Sequence, residues 1–211
     1  MAKKTIEKGQ VRAWQRMLSG RRLDLLSPSA LDIEIEDIAH GLARVSRWNG
    51  QTVGLHAFSV AQHSVLVTRL LSHNYPKTLA TDLLLCLLHD APEYVISDLI
   101  SPLKAVLGPE YADVEDRLQR AIHLRFGLPV ETARAVRSRI KKMDQIAAYF
   151  EAVQLAGFSI DESGQLFGQP PVTAVYTPQL SPLPAPEAQL EFEEMFHRLV
   201  AARAEIPPAI D

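Results

Sequence analysis

Four polar side chains stand where an apolar core would otherwise continue. His89 and Asp90 close TDLLLCLLHD, the most hydrophobic run in the chain. His63 lies within SVAQHSVLVTRLLSH, flanked by Ala61, Val65, Leu66 and Val67. Asp144 shares a helical face with Ile140 and Ala148, four residues to either side, and sits beside Met143 and Ala147. An ionised carboxylate in such surroundings needs a partner. Two imidazoles and two carboxylates from separate helices form a sensible ligand set for one divalent cation. Imidazole suits zinc, iron, nickel and cobalt, and carboxylate suits manganese and magnesium. Singly, each residue would more often be a core histidine, a cap or an ion-pair partner, so the set of four carries the expectation.

Glu93 and Asp98 follow within nine residues of His89. The end of a helix, Pro92 and a turn would bring both to the rim of a metal pocket. A carboxylate there can take a proton from a water whose pKa the ion has lowered. The alternative is a pair of solvated loop acids.

Helices must position these groups. Residues 32–46 read as a helix with an acidic entry and Ile35, Ile38, Ala39, Leu42 and Val45 on one face. RWNG at 47–50 ends it with an Asn-Gly turn signal. A second helix covers 59–73, with Ser59 as its N-cap. The third, 78–89, is apolar nearly all round and is expected to be the most buried. A further helix spans 110–126 and stops at Gly127. The longest covers 130–156, with a seam of Ala133, Val136, Ile140, Met143, Ala147 and Phe150. Residues 158–186, with five of the fourteen prolines between Pro170 and Pro184, read as a Pro-rich loop or short extended pieces. A C-terminal helix, 186–203, should pack back through Leu190, Phe192, Met195, Phe196 and Leu199. Strand alternation is lacking, so the expected class is all-α. The domain plan is a basic arm over 1–30, containing one short helix at most, followed by a single helical domain over 31–211.

At 211 residues the chain suits one domain with extensions. A formal charge of -3 offers no global attraction to nucleic acid or anionic membrane. The basic arm reads as a solvated tail. The single cysteine, Cys86, excludes an intramolecular disulfide and reads as a buried, inert thiol. The N-terminus lacks the apolar stretch of a signal peptide, and the run Leu83 to Leu88 is too short to cross a bilayer. A cytoplasmic protein is the expectation.

The strings QHSVLV, HDAPEYVISDLISPLK beginning 26 residues after His63, and KKMDQIAAYFEA carry a resemblance. Over roughly residues 38–155 the chain resembles the HD-domain phosphohydrolase superfamily, and within it the bacterial 5′-deoxynucleotidases that act on nucleoside monophosphates. The resemblance implies an HD-type helical bundle and a metal-dependent phosphomonoesterase with one divalent ion (Mn, Co, Zn, Ni, Fe or Mg). It places the ligands at His63, His89, Asp90 and Asp144. It gives Glu93 a catalytic part and makes Asp98 a substrate-binding group that assists proton transfer. It sets Arg47 and Trp48 near phosphate and sugar, and Ser101 and Lys104 on the substrate side. Arg47 offers the planar fork of donors that a phosphate clamp needs. The implied partner is a small phosphate ester such as a nucleotide, with homodimers common in the branch. Departures are Gln62, where the branch often has Glu, and Pro92. His56 is read as pocket lining or structural, not as a ligand. Two alternatives stay open: a nucleotide-sensing or structural module with little turnover, and a hydrolase of another phosphoester.

Overall fold

Apolar residues at helical spacing set the architecture, and the backbone follows them. The computed structural model describes residues 13–170 and 177–204, a mostly helical bundle with one two-stranded sheet. Of the basic arm expected over 1–30, residues 1–12, with Lys3, Lys4, Lys8 and Arg12, lie outside the described residues.

In α1 (Ile35–Leu42), Ile35, Ile38, Ala39 and Leu42 are buried at the i, i+3, i+4, i+7 spacing of one face. α2 (Val60–Asn74) begins at Ser59, whose hydroxyl accepts from the Gln62 backbone N–H at 3.3 Å. α3 (Ala80–Leu87) ends in a turn that carries His89 and Asp90, and α4 (Glu93–Ile96) follows at once. α5 (Ser101–Leu107) and α6 (Pro109–Arg125) are separated by Gly108, whose φ of 74° suits glycine. α7 (Arg134–Gln154) is the long helix. Its first residues are exposed, and burial starts at Ile140, later than the expected seam from Ala133.

The most buried helix is α2 rather than α3. Every residue from Val60 to Thr68 is buried, because α2 packs against α3, α7 and α9 (Ala185–Ala204) together. In α3 only Leu84–Leu87 is buried. The polar residues Gln62 and Thr68 of α2 tolerate this position because each finds a partner. Thr68 Oγ1 donates to the Ser64 carbonyl at 2.8 Å. The Gln62 amide donates to the Ser181 carbonyl at 3.0 Å and accepts from Leu183 N–H at 3.1 Å. Gln154 holds Pro178 and Leu180 in the same two-sided way.

Two expectations need correction. The stretch expected as a basic arm with a short helix forms instead a β-hairpin over part of its length. β1 (Trp14–Arg16) pairs antiparallel with β2 (Arg22–Asp24). Leu23 and Met17 join the core, and Asp37 accepts from the Ser19 backbone N–H at 2.9 Å and hydroxyl at 2.5 Å. The region expected as a Pro-rich loop or short extended pieces contains α8 (Ile160–Phe167). A capping box starts it: Ser159 accepts from Glu162 N–H, and the Glu162 carboxylate accepts from Ser159 N–H at 2.9 Å. On α9, Phe192, Met195, Phe196 and Leu199 are buried as expected, whereas Leu190 faces outward. No helix among the described residues is long and apolar enough to cross a membrane.

α1 and α4 meet closely at Gly41. A Cβ added there would lie 2.8 Å from both the Cβ and the backbone oxygen of Tyr94. Glu93 precedes that tyrosine, so this approach sets the depth of a site residue. Gly41→Ala is expected to lower stability by about 1–3 kcal/mol through overpacking, seen as a lower urea midpoint. An unchanged midpoint would show that α4 gives way freely.

Candidate metal centre

His63 sits one turn into α2 and is fully buried, so both ring nitrogens need partners inside the protein. Its Nδ1 lies 2.6 Å from Glu151 Oε1, on α7. Its Nε2 faces two further carboxylates, Asp90 Oδ2 at 3.5 Å and Asp144 Oδ1 at 3.4 Å. His89, in the turn after α3, points its Nδ1 at the Cys86 carbonyl, 2.8 Å away, and its Nε2 at Asp90 Oδ2, 3.2 Å away. The two imidazole rings are 5.4 Å apart.

A carbonyl can only accept, so His89 carries its proton on Nδ1. The Glu151 carboxylate imposes the same tautomer on His63 when that ring is neutral. Both Nε2 atoms are buried and without a hydrogen-bond partner, and in the neutral ring each is a lone pair that a cation can take in place of a proton. His63, His89 and Asp90 each offer a ligand atom, and these atoms lie within 4.8 Å of one another. This triad could hold a metal ion, and its two imidazoles and carboxylate fit a divalent cation. Asp144 adjoins the triad through His63, while its Oδ2 is bound by Lys141 at 3.1 Å.

The centre opens into a cavity of about 370 Å³, lined by four carboxylates (Asp90, Glu93, Asp98, Asp144) and three cations (Arg47, Lys104, Lys141). Burial alone would raise Asp90 and Asp144, yet the neighbouring imidazoles hold both carboxyls well below the usual range. His63 loses basicity by burial and by the nearness of Arg47. Glu151 and Asp144 more than reverse this, so it is pushed up to about 10. Glu93 is pushed up to about 9, first by burial and then by the charges of Asp90 and Asp98. Its Oε2 is buried without a partner, and its Oε1 meets Lys104 Nζ at 3.3 Å. Glu151 stays below its ordinary value despite burial, because His63 and Arg47 favour its charge.

The other expected residues divide. Arg47 reaches the cavity wall, but its fork is already engaged: Nη1 donates to Asp98 at 2.9 Å and Nε to Glu151 at 3.3 Å. Trp48 donates its indole N–H to Glu151 at 2.9 Å. Lys104 bridges Glu93 and Glu115. Ser101 begins α5, and its side chain lies outside the described residues. His56 is exposed in the loop before α2 and lines no part of this cavity.

Sequence reasoning missed Glu151 and the aromatic wall. Beside the polar cavity lies an apolar one of about 500 Å³, sharing Arg47, Asp98 and Phe167 with it. Trp48 packs there against Phe158 and Phe167, with centroids 5.6 and 5.7 Å away. The Ser-x-x-Glu signature at 159–162 could have revealed the helix that brings Phe167 here. Cys86 is buried as expected, and burial pushes its thiol up to about 12.

The chain is 51% identical over 189 residues to an uncharacterized protein of Rhodobacter capsulatus, a match spanning 90% of this chain and 96% of the relative. It is 38% identical over 98 residues to the uncharacterized protein YfdR of Escherichia coli, spanning 46% of this chain and 49% of that protein. No protein-family model matches the chain.

The raised groups fix how stability depends on pH. Glu93 (4.5 unfolded, about 9 folded) and His63 (6.5 unfolded, about 10 folded) both bind protons more tightly in the folded state. The folded chain therefore holds the extra protons, and its stability falls as pH rises through this window. In chelator, the urea midpoint is expected to drop between pH 4.5 and about 10. Glu93→Gln should flatten the part of that drop below about pH 9. A wild-type midpoint that holds steady or rises over the interval would contradict the assignment.

Proposed function

We propose a function for a chain that belongs to the same family as the Rhodobacter capsulatus protein: metal-dependent hydrolysis of a phosphate monoester, with nucleoside 5′-monophosphates as the substrate class. The observation that carries the proposal is the pair of buried Nε2 atoms, neither with a hydrogen-bond partner and both facing the Asp90 carboxylate, with Asp144 also beside His63. The order and spacing of His63, His89-Asp90 and Asp144 support an HD-domain phosphohydrolase.

On this reading His63, His89 and Asp90 hold one divalent ion, with Asp144 as the fourth ligand in exchange for its Lys141 contact. The bound ion supplies the positive charge that makes water more acidic and neutralises a phosphoryl group. Glu93, a buried carboxyl with one oxygen free, takes the proton from the attacking water. The positive charge of the ion favours its ionised form and so counters the effect of burial. Lys104 and Arg47 bring positive charge to the phosphoryl oxygens. The water oxygen bonds to phosphorus, the ester P–O bond breaks, and the nucleoside leaves as an alcohol, its oxygen taking up the proton that Glu93 received. The apolar cavity walled by Trp48, Phe158 and Phe167 suits a base, because an aromatic face stacks on any nucleobase.

A second reading is a nucleotide-sensing module with little turnover. The engagement of Arg47 by Asp98 and Glu151 favours little turnover, since a guanidinium held by two carboxylates has less charge to lend to the phosphoryl oxygens.

The test is inorganic phosphate release from deoxy- and ribonucleoside monophosphates with manganese, cobalt, zinc and magnesium supplied separately. Asp90→Asn and His89→Ala are expected to fall below roughly one-hundredth of wild-type activity while remaining folded. Full activity in a folded, ion-free Asp90→Asn variant would end the proposal. Tight nucleotide binding without product under every ion would select the sensing module.

The aromatic wall has its own expected result. Phe167→Ala should raise KM for a nucleotide by about 10-fold and leave KM for ribose 5-phosphate unchanged. Equal effects on both esters would remove the base from that cavity.

A further inference from the structure

Glu151 is fully buried on α7, seven residues beyond Asp144. Two helical turns separate them, so both project from nearly the same face. They approach one imidazole from opposite edges: Glu151 Oε1 stands 2.6 Å from His63 Nδ1, and Asp144 Oδ1 stands 3.4 Å from Nε2. The other Glu151 oxygen accepts from Trp48 Nε1 at 2.9 Å and Arg47 Nε at 3.3 Å. One carboxylate therefore joins a candidate ligand to the two residues of the opposite wall.

The backbone of that wall is itself in an uncommon state. Trp48 and Asn49 adopt left-handed φ values of 55° and 50°. For a residue as bulky as tryptophan this conformation persists only where surrounding contacts impose it. The Glu151 bonds and the packing on Phe158 and Phe167 are those contacts.

We infer that Glu151 is the positioning residue of this centre. It fixes the His63 tautomer so that Nε2 is free to bind a cation, and with the same group it holds Arg47 and Trp48 in place. The inference rests on the metal-centre reading above. It goes beyond that reading by making cation affinity and the set of the Arg47–Trp48 wall depend on a single carboxylate. All three groups that meet Glu151 are donors, and only an ionised carboxylate accepts from every one of them. A primary amide of the same shape cannot. If its oxygen turns to His63, its NH₂ opposes the Trp48 and Arg47 donors. If its oxygen turns to Trp48 and Arg47, its NH₂ donates to Nδ1, the ring proton moves to Nε2, and the cation loses a ligand.

The experiment has two arms that do not use turnover. In the first, ring ¹⁵N NMR on the zinc-loaded wild-type protein is expected to show His63 protonated at Nδ1 and unprotonated at Nε2. The opposite tautomer would overturn the inference, and this arm needs no variant, so it decides even if Glu151→Gln fails to fold. In the second, Glu151→Gln is made in a Trp14→Phe background so that Trp48 alone reports by fluorescence. Manganese and zinc affinity measured by calorimetry should fall by about 10- to 100-fold, and Trp48 emission should shift and become more open to acrylamide. A merely structural role would lower the melting temperature and leave cation affinity and the fluorescence of the folded protein as in wild type, which would refute the inference. Should the wild-type chain hydrolyse no phosphate ester yet lose cation affinity on Glu151→Gln, the phosphohydrolase reading fails and the role of Glu151 stands. Normal hydrolysis with unchanged cation affinity in Glu151→Gln sinks the inference alone.

Discussion

A fully buried imidazole must satisfy two nitrogens, and this demand at His63 organises the rest of the molecule. Its Nδ1 is met by Glu151 on α7, and its Nε2 faces Asp90 from the turn after α3 and Asp144 from α7. Three carboxylates from two chain segments thus converge on one side chain near the start of α2. Leaving one of these partners out would strand a polar or charged group in a low-dielectric interior, where the cost is far higher than at the surface. The helices can meet this demand because they are rigid and packed: α2 lies against α3, α7 and α9. Even the extended segment 178–183 serves that packing, since the Gln62 and Gln154 amides satisfy its backbone groups.

Two kinds of surface meet at the centre, and their division gives the site its chemical sense. One cavity is rich in carboxylates and cations, and its neighbour is walled by aromatic and aliphatic groups. Arg47 stands between them, held by Asp98 on one side and Glu151 on the other. On the proposed reading a phosphate ester spans the boundary, with phosphorus on the polar side and the base on the apolar one. Glu93 sits deep because α4 is drawn against α1 at Gly41, where no Cβ would fit without movement. Its protonation is then set by burial and by neighbouring carboxylates, two influences that a bound cation opposes.

Much of this was legible in the sequence, for reasons tied to particular residues. Ser59 announced α2, and the inward polar residues His63, His89, Asp90 and Asp144 betrayed themselves by standing on apolar faces. The rank of α2 as the most buried helix was hidden, because Gln62, His63, Ser64 and Thr68 make it look amphipathic while internal hydrogen bonds let it be enclosed. The hairpin was hidden because strands of three residues show too little alternation to register. Glu151 was passed over because a glutamate on a long helix is usually solvated. Yet it lies seven residues from Asp144 and four from Ala147, both already read as inward. The helix at 160–167 is masked in the sequence by the prolines that follow it, although the Ser159–Glu162 capping box marks its start.

The most direct measurement is anomalous diffraction from crystals of the full chain grown with cobalt or manganese. One peak is expected, about 2.0–2.3 Å from Nε2 of His63, Nε2 of His89 and a carboxylate oxygen of Asp90 and of Asp144. Saturating cation with no density among these groups, or density bound elsewhere while Asp144 keeps its Lys141 contact, would contradict a shared metal centre.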